Sequence, residues 1–247
     1  GRKIKIMKKV LYTNGDSYTF GDELSNPRKS AWPYKLGSKL NCNKVINHGA
    51  SGGSNQRIFR TTVEWILKYI DEGGVTENLI VVIGWTNPDR MEFRGDAKFK
   101  KTLNNASDKY DDENLKFTPD THKIYTSIIP SLSKNRFSEI HEFYMRYLYD
   151  REYCLDTTAS YMYHIQKFLK SHNIKHLFFM SFNDFTYEMN NYNISLWNFI
   201  DKKQFIGEYT MDKYVIDNNI KLGTKYHPLE DGHIKWTKIL LEKLDGI

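Results

Sequence analysis

At 247 residues the chain has room for one large domain or two small ones, and 40% hydrophobic with 15% aromatic residues is ample for a core. The net charge of +6 is scattered apart from a cluster at Arg2, Lys3, Lys5, Lys8 and Lys9, which reads as a solvated arm, so no nucleic-acid partner is expected. Two distant cysteines, Cys42 and Cys154, make neither a disulfide framework nor a zinc pattern. No apolar stretch approaches the roughly 18 residues of a membrane span, and no signal-peptide run stands at the start, so a cytoplasmic protein with no membrane partner is the expectation.

Lys9–Thr13 reads as a short buried strand that stops at Asn14-Gly15. Trp32–Leu40 looks helical, with Pro33 acceptable in the first turn. Lys44–Asn47 is a second strand, followed by a glycine-rich loop from His48 to Ser54. Asn55–Tyr69 carries apolar residues at helical spacing and ends near Gly73-Gly74. Leu79–Ile83 is a continuous β-branched run, as in a sheet covered on both faces, and Gly84 to Pro88 stops it.

Residues 90–134 are polar and irregular, which predicts an insertion or lid. Residues 137–172 carry two helical patterns broken near Cys154 to Thr157. Lys175–Met180 is a fourth strand, 183–222 has no readable period, and Gly232–Leu244 is a final amphipathic helix with Asp231 as its cap and Ile234, Ile239, Leu240, Leu241 and Leu244 as apolar members. Strands alternating with helices predict an α/β three-layer sandwich around a mainly parallel sheet, in a single domain over 1–247. In such a sheet, sites gather at the carboxyl ends of the strands. Three of those ends are unusual: Asn14-Gly15-Asp16-Ser17, His48 to Ser54, and Gly84-Trp85-Thr86-Asn87.

Gly15-Asp16-Ser17 after the first strand resembles the first block of the SGNH (GDSL-type) hydrolases. The glycine loop resembles their second block, the Gly-x-x-Asn ending at Asn87 their third, and His227-Pro228 with Gly232-His233 their last. The blocks run in that family's order and span residues 10–95 and 175–244. Trp85 to Arg90 is similar to phage-encoded members, which implies a virus-encoded protein. Residues 15–19 read GDSYT, not the Gly-x-Ser-x-Gly elbow of the α/β-hydrolases.

The resemblance implies the flavodoxin-like SGNH sheet and a serine esterase that forms an acyl-enzyme on Ser17, with no metal or organic cofactor, acting on a small-molecule or glycan ester such as a carbohydrate O-acetyl group. His227 is the implied general base and His233 its rival. The implied oxyanion donors are the backbone N–H groups of Ser17 and Gly52 and the side-chain amide of Asn87. Gly49 and Gly53 are alternatives to Gly52, and Thr86 to Asn87. Asp16 is read as support for the turn, and Asp89-Arg90 as a pair beneath the site or on the surface.

The family places an aspartate three residues before the histidine. Here Thr224 stands before His227, and Glu230 before His233. Either a Ser–His dyad operates, or an acid such as Asp217 or Asp231 arrives from elsewhere. The alternative is a non-catalytic glycan- or protein-binding module on the same fold.

Overall fold

The structure is a computed structural model and describes residues 8–94, 125–128, 142–207 and 209–247. Strand β1 (Val10–Asn14) leads into two short helices, α1 (Ser17–Phe20) and α2 (Pro27–Ser30), then α3 (Trp32–Lys39) and β2 (Lys44–Asn47). Helix α4 (Asn55–Asp71) begins where the Ser54 hydroxyl accepts the Arg57 N–H, an N-cap that terminates the glycine loop. Strand β3 (Leu79–Trp85) follows and is buried along its whole length.

Part of the segment read as irregular is sheet. Strands β4 (Met91–Arg94) and β5 (Tyr125–Ile128) pair antiparallel, and buried Glu92 ties β4 to Arg60 of α4 at 2.9 Å. Two four-residue strands thirty residues apart leave no local period to read. The remainder of the expected insertion, 95–124 and 129–134, lies outside the described residues.

The break expected near Cys154 to Thr157 lies earlier. A π-helical turn occupies Tyr144–Leu148, and α5 (Arg151–Ser171) runs unbroken after Asp150, whose carboxylate accepts the Tyr153 N–H at 2.6 Å. Cys154, Leu155, Thr158 and Ala159 share the buried stripe of that helix. Strand β6 (Lys175–Met180) matches its expected span. The unread region holds α6 (Thr186–Asn191), the two-residue strand β7 (Phe205–Ile206) and α7 (Met211–Asp217).

Helix α8 (Glu230–Asp245) starts two residues earlier than expected, with Leu229 at its cap position and no side-chain cap. Asp231 is in its first turn and pairs with Lys235 at 2.9 Å, so it is not the cap. Trp236, Leu240 and Leu244 form the buried face of α8, whereas Ile234 is 40% exposed.

The main sheet has the order β2-β1-β3-β6-β7, and every pairing in it is parallel. Alternate residues of β3 serve different layers. Leu79, Val81, Ile83 and Trp85 pack with Ile58 and Trp65 of α4 and Met162 and Ile165 of α5. Ile80 and Val82 pack with Leu36 of α3 and Trp236 and Leu240 of α8. The result is the α/β three-layer sandwich with a flavodoxin-like strand order. The chain steps from β1 outward to β2, then crosses back to β3, and this reversal opens a crevice at the carboxyl ends of β1 and β3. Among the described residues, no helix is long and apolar enough to cross a membrane.

Candidate active site

The end of β1 is pinned from below. The buried Asn14 amide donates to the hydroxyls of Thr61 and Thr62 on α4 at 2.8 and 2.9 Å, and to the Ile58 carbonyl at 3.2 Å. Asp16 then caps α1 by accepting the Tyr18 N–H at 3.0 Å. Its second oxygen lies 3.5 Å from Arg90 Nη1, and the hydroxyls of Thr86 and Ser181 lie against it. Burial raises the Asp16 carboxyl above its usual range, opposed mainly by Arg90. Asp16 thus supports the turn, and Arg90 is the member of the Asp89-Arg90 pair that braces it. Ser17 is the first residue of α1 and is 4% exposed. Its hydroxyl makes no hydrogen bond with a described residue.

His227 comes to this helix from the other end of the chain. Its ring lies 5.7 Å from that of Tyr18, the residue after Ser17. The Tyr18 hydroxyl ties the two segments together by donating to the Tyr226 carbonyl at 3.1 Å and to Asp212 at 2.7 Å. Beyond α1, Gly21 adopts a left-handed turn (φ +92), and Glu23 follows in the same region (φ +65). That turn aims the Glu23 carboxylate into the 223–227 loop. Glu23 accepts from the Thr224 hydroxyl (2.9 Å), the Lys225 N–H (2.9 Å), the His227 N–H (3.1 Å) and His227 Nδ1 (3.1 Å). The approach is close enough that a Cβ at Gly223 would meet the Glu23 carboxyl carbon at 2.5 Å.

Burial alone would raise the Glu23 carboxyl, but the donors of Lys225, His227 and Thr224 overcome it and bring it down to about 2. An ionised carboxylate only accepts, so His227 donates a proton from Nδ1 to Glu23 and turns Nε2 away from it. Nε2 lies 3.8 Å from Asp22 Oδ2, and the Ser51 hydroxyl donates to the same oxygen at 2.5 Å. The glycine loop and the histidine loop therefore face each other across Asp22.

His233 is placed quite differently. It is fully buried, and its Nδ1 accepts the backbone N–H of Trp32, the first residue of α3, at 3.1 Å. Burial, with the Lys35 ammonium adding, pushes its imidazole down to about 3. Glu230 does not serve it as a paired acid but bonds Lys35 at 2.7 Å. His48, the other histidine near a loop glycine, is buried in the core against Tyr12 at 3.2 Å. His122 and His141 lie outside the described residues.

The competing amide donors separate by what they already bond. The Gly49 N–H donates to Asn47 Oδ1 at 2.9 Å and the Gly53 N–H to the Ala50 carbonyl at 2.9 Å. Gly52, at φ +70, spends its N–H on no described residue, and neither does Ser17. Thr86 is fully buried, with its N–H on Asn55 Oδ1 at 2.9 Å and its hydroxyl against Asp16. Asn87 is half-buried, and its side-chain amide is bonded to no described residue. Among the described residues, no group of three or more His, Cys, Asp or Glu is placed to hold a metal ion.

Glu23 is the site residue that sequence reasoning passed over. The candidate acids Asp217 and Asp231 do not reach His227: Asp231 is taken by Lys235, and Asp217 closes α7. The local signal was a pair of acids, Asp22-Glu23, directly behind a glycine that ends a helix.

The model of a family of unknown function, DUF6071, matches residues 22–244, and the chain belongs to that family. Among curated proteins, none matches the sequence. Solved structures similar to this chain include a member of the lipolytic protein G-D-S-L family from Veillonella parvula, at 12% identity and TM-score 0.44, with 95% of this chain and 97% of that one covered. Another is TesA, at 12% identity and TM-score 0.48, covering 96% and 98%. A third is the psychrotrophic esterase EstA from Pseudoalteromonas sp., at 8% identity and TM-score 0.48, covering 96% and 97%.

Proposed function

We propose that this member of DUF6071 is a serine esterase in which Ser17 is the nucleophile and His227 the general base. One observation carries the reading. An imidazole with its Nδ1 held by an ionised carboxylate is seated on the helix and turn that begin with Ser17, although the two residues are 210 positions apart in the chain. Ser17 Oγ attacks the ester carbonyl carbon as its proton passes to His227 Nε2. The imidazolium returns that proton to the departing alkoxide, leaving an acyl-enzyme that water hydrolyses by the same relay. The oxyanion is met by the N–H groups of Ser17 and Gly52 and by the Asn87 amide, the three candidate donors that bond no described residue. Catalytic hydrogen bonds are often long before substrate binds, which accommodates the free Ser17 hydroxyl.

That free hydroxyl is also the observation favouring a second reading, a module that binds an ester-bearing glycan or a protein without turning it over. Labelling with a fluorophosphonate, read by intact mass and peptide mapping, separates the two. The esterase reading expects one adduct, on Ser17, absent in Ser17→Ala, together with hydrolysis of p-nitrophenyl acetate or acetylated sugars that the same substitution abolishes. A folded wild-type protein that takes no adduct and hydrolyses none of these esters would leave the binding module standing.

A further inference from the structure

We infer that Glu23 is the positioning acid of His227, supplied from the opposite end of the chain in place of the residue at 224; the inference rests on the esterase reading of the same site. The SGNH pattern puts this carboxylate three residues before the histidine. That position is Thr224, whose hydroxyl donates to Glu23 Oε1 at 2.9 Å. Side chains at 224 and 23 thus reach the same point, one with a donor and the other with the charge.

The other described carboxylates near the site are otherwise engaged. Asp16 holds the Tyr18 N–H and Arg90. Asp212 accepts the Tyr18 hydroxyl. Asp22 faces Nε2, the nitrogen that must stay open, and accepts from Ser51. The groups that face the imidazole are therefore Glu23 at Nδ1, Asp22 near Nε2 and the Tyr18 ring, with the buried His233 close enough to be felt electrostatically.

Glu23 holds an unfavourable left-handed backbone conformation for a residue with a side chain. Such strain persists only where surrounding contacts over-determine it, and four donors do so here. When Ser17 hands its proton to Nε2, the carboxylate stabilises the imidazolium without taking the proton itself.

The test compares wild type with Glu23→Gln and with the double variant Glu23→Ala/Thr224→Asp, which moves the acid back to the position in the family pattern. Ester hydrolysis gives kcat, KM and the pH profile, and nitrogen-15 NMR of His227 gives the tautomer without reference to activity. Glu23→Gln is expected to lower kcat by about 10²- to 10⁴-fold, with KM changed by about threefold or less. It is also expected to move the ascending limb of the pH profile to lower pH and to shift the His227 proton away from Nδ1. The double variant is expected to recover at least about tenfold of the lost kcat and the Nδ1–H tautomer. A Glu23→Gln protein that loses only thermal stability or raises only KM, with the wild-type tautomer and pH profile, overturns the inference. So does a double variant, read alone if Glu23→Gln does not fold, that fails to regain the tautomer. Should the wild type hydrolyse nothing while its tautomer still depends on Glu23, the esterase reading falls and the positioning role stands.

Discussion

Replacing His233 with asparagine should flatten the acid side of the stability curve. In the fold, His233 Nδ1 accepts the first N–H of α3, where the cap position Ala31 offers no side-chain acceptor. A protonated ring has no acceptor to give and would set a donor and a positive charge against the start of a helix. The unfolded chain takes up this proton below its ordinary value of 6.5, whereas the folded protein resists until about 3. The contribution is therefore complete above pH 6.5 and is lost progressively as the pH falls toward 3. Linkage arithmetic puts the loss at about 2 kcal/mol at pH 5 and about 3 kcal/mol at pH 4. His233→Asn keeps an acceptor near the Nδ1 position and cannot titrate. Urea unfolding followed by tryptophan fluorescence should show the variant less stable at pH 7 but losing about 2 kcal/mol less than wild type between pH 7 and pH 5. Parallel losses in the two proteins would refute the buried-neutral account. With His227 as the proposed base, the variant should also retain the ester hydrolysis of the wild type wherever it is folded.

Three further variants probe the rim of the crevice. In the proposed esterase, Asn87→Ala should cut kcat by about 10²- to 10³-fold, the cost of one oxyanion donor, with an unchanged melting temperature. Thr86→Val removes a buried hydroxyl that lies beside the Asp16 carboxylate without a hydrogen-bond partner, so it should instead leave kcat within about threefold of wild type. The reverse pattern would exchange the two assignments. Gly49→Ala would place a Cβ 2.5 Å from the Phe20 backbone nitrogen and 2.8 Å from the Thr19 carbonyl carbon. Backbone cannot yield as a side chain end can, so calorimetry should show a loss of about 1–3 kcal/mol or more. A variant melting within a degree of wild type would contradict that packing.

What was readable in the sequence was whatever repeats locally. Leu79–Ile83 is apolar throughout because α4 and α5 cover one face of β3 and α3 and α8 the other, so burial on both sides is written directly into the run. The two residues of β7 write nothing, since a period needs more than one repeat to be seen. The strands β4 and β5 declare themselves only through each other, and the break before α5 only through the Asp150 cap. Ser17 and His227 stood out as members of short motifs. Gly52 could not be told from Gly49 and Gly53 by spacing, because the distinction lies in which N–H groups the fold has already used. Glu23 was invisible for the same kind of reason: its partner is 204 residues away, and a rule that counts back three places from a histidine cannot find it.

Holding the acid at 23 rather than 224 changes what the carboxylate controls. An acid on the histidine's own loop would orient the ring but would tie that loop to nothing else. Glu23 reaches in from the turn behind α1, so the contact that sets the His227 tautomer also locks the 223–227 loop to the helix that carries Ser17. Loop order and the orientation of the imidazole become one event. With the carboxyl depressed to about 2, its contribution is complete above its ordinary value of 4.5 and is lost only as the pH falls from there toward 2. The buried His233 begins to weaken the packing of α3 on α8 two pH units earlier, below 6.5. On acidification the layer beneath the site is therefore destabilised while the Glu23 clamp is still ionised. A loss of activity between pH 6 and pH 4.5 that tracks unfolding therefore belongs to His233, because the Glu23 clamp is not yet lost in that window.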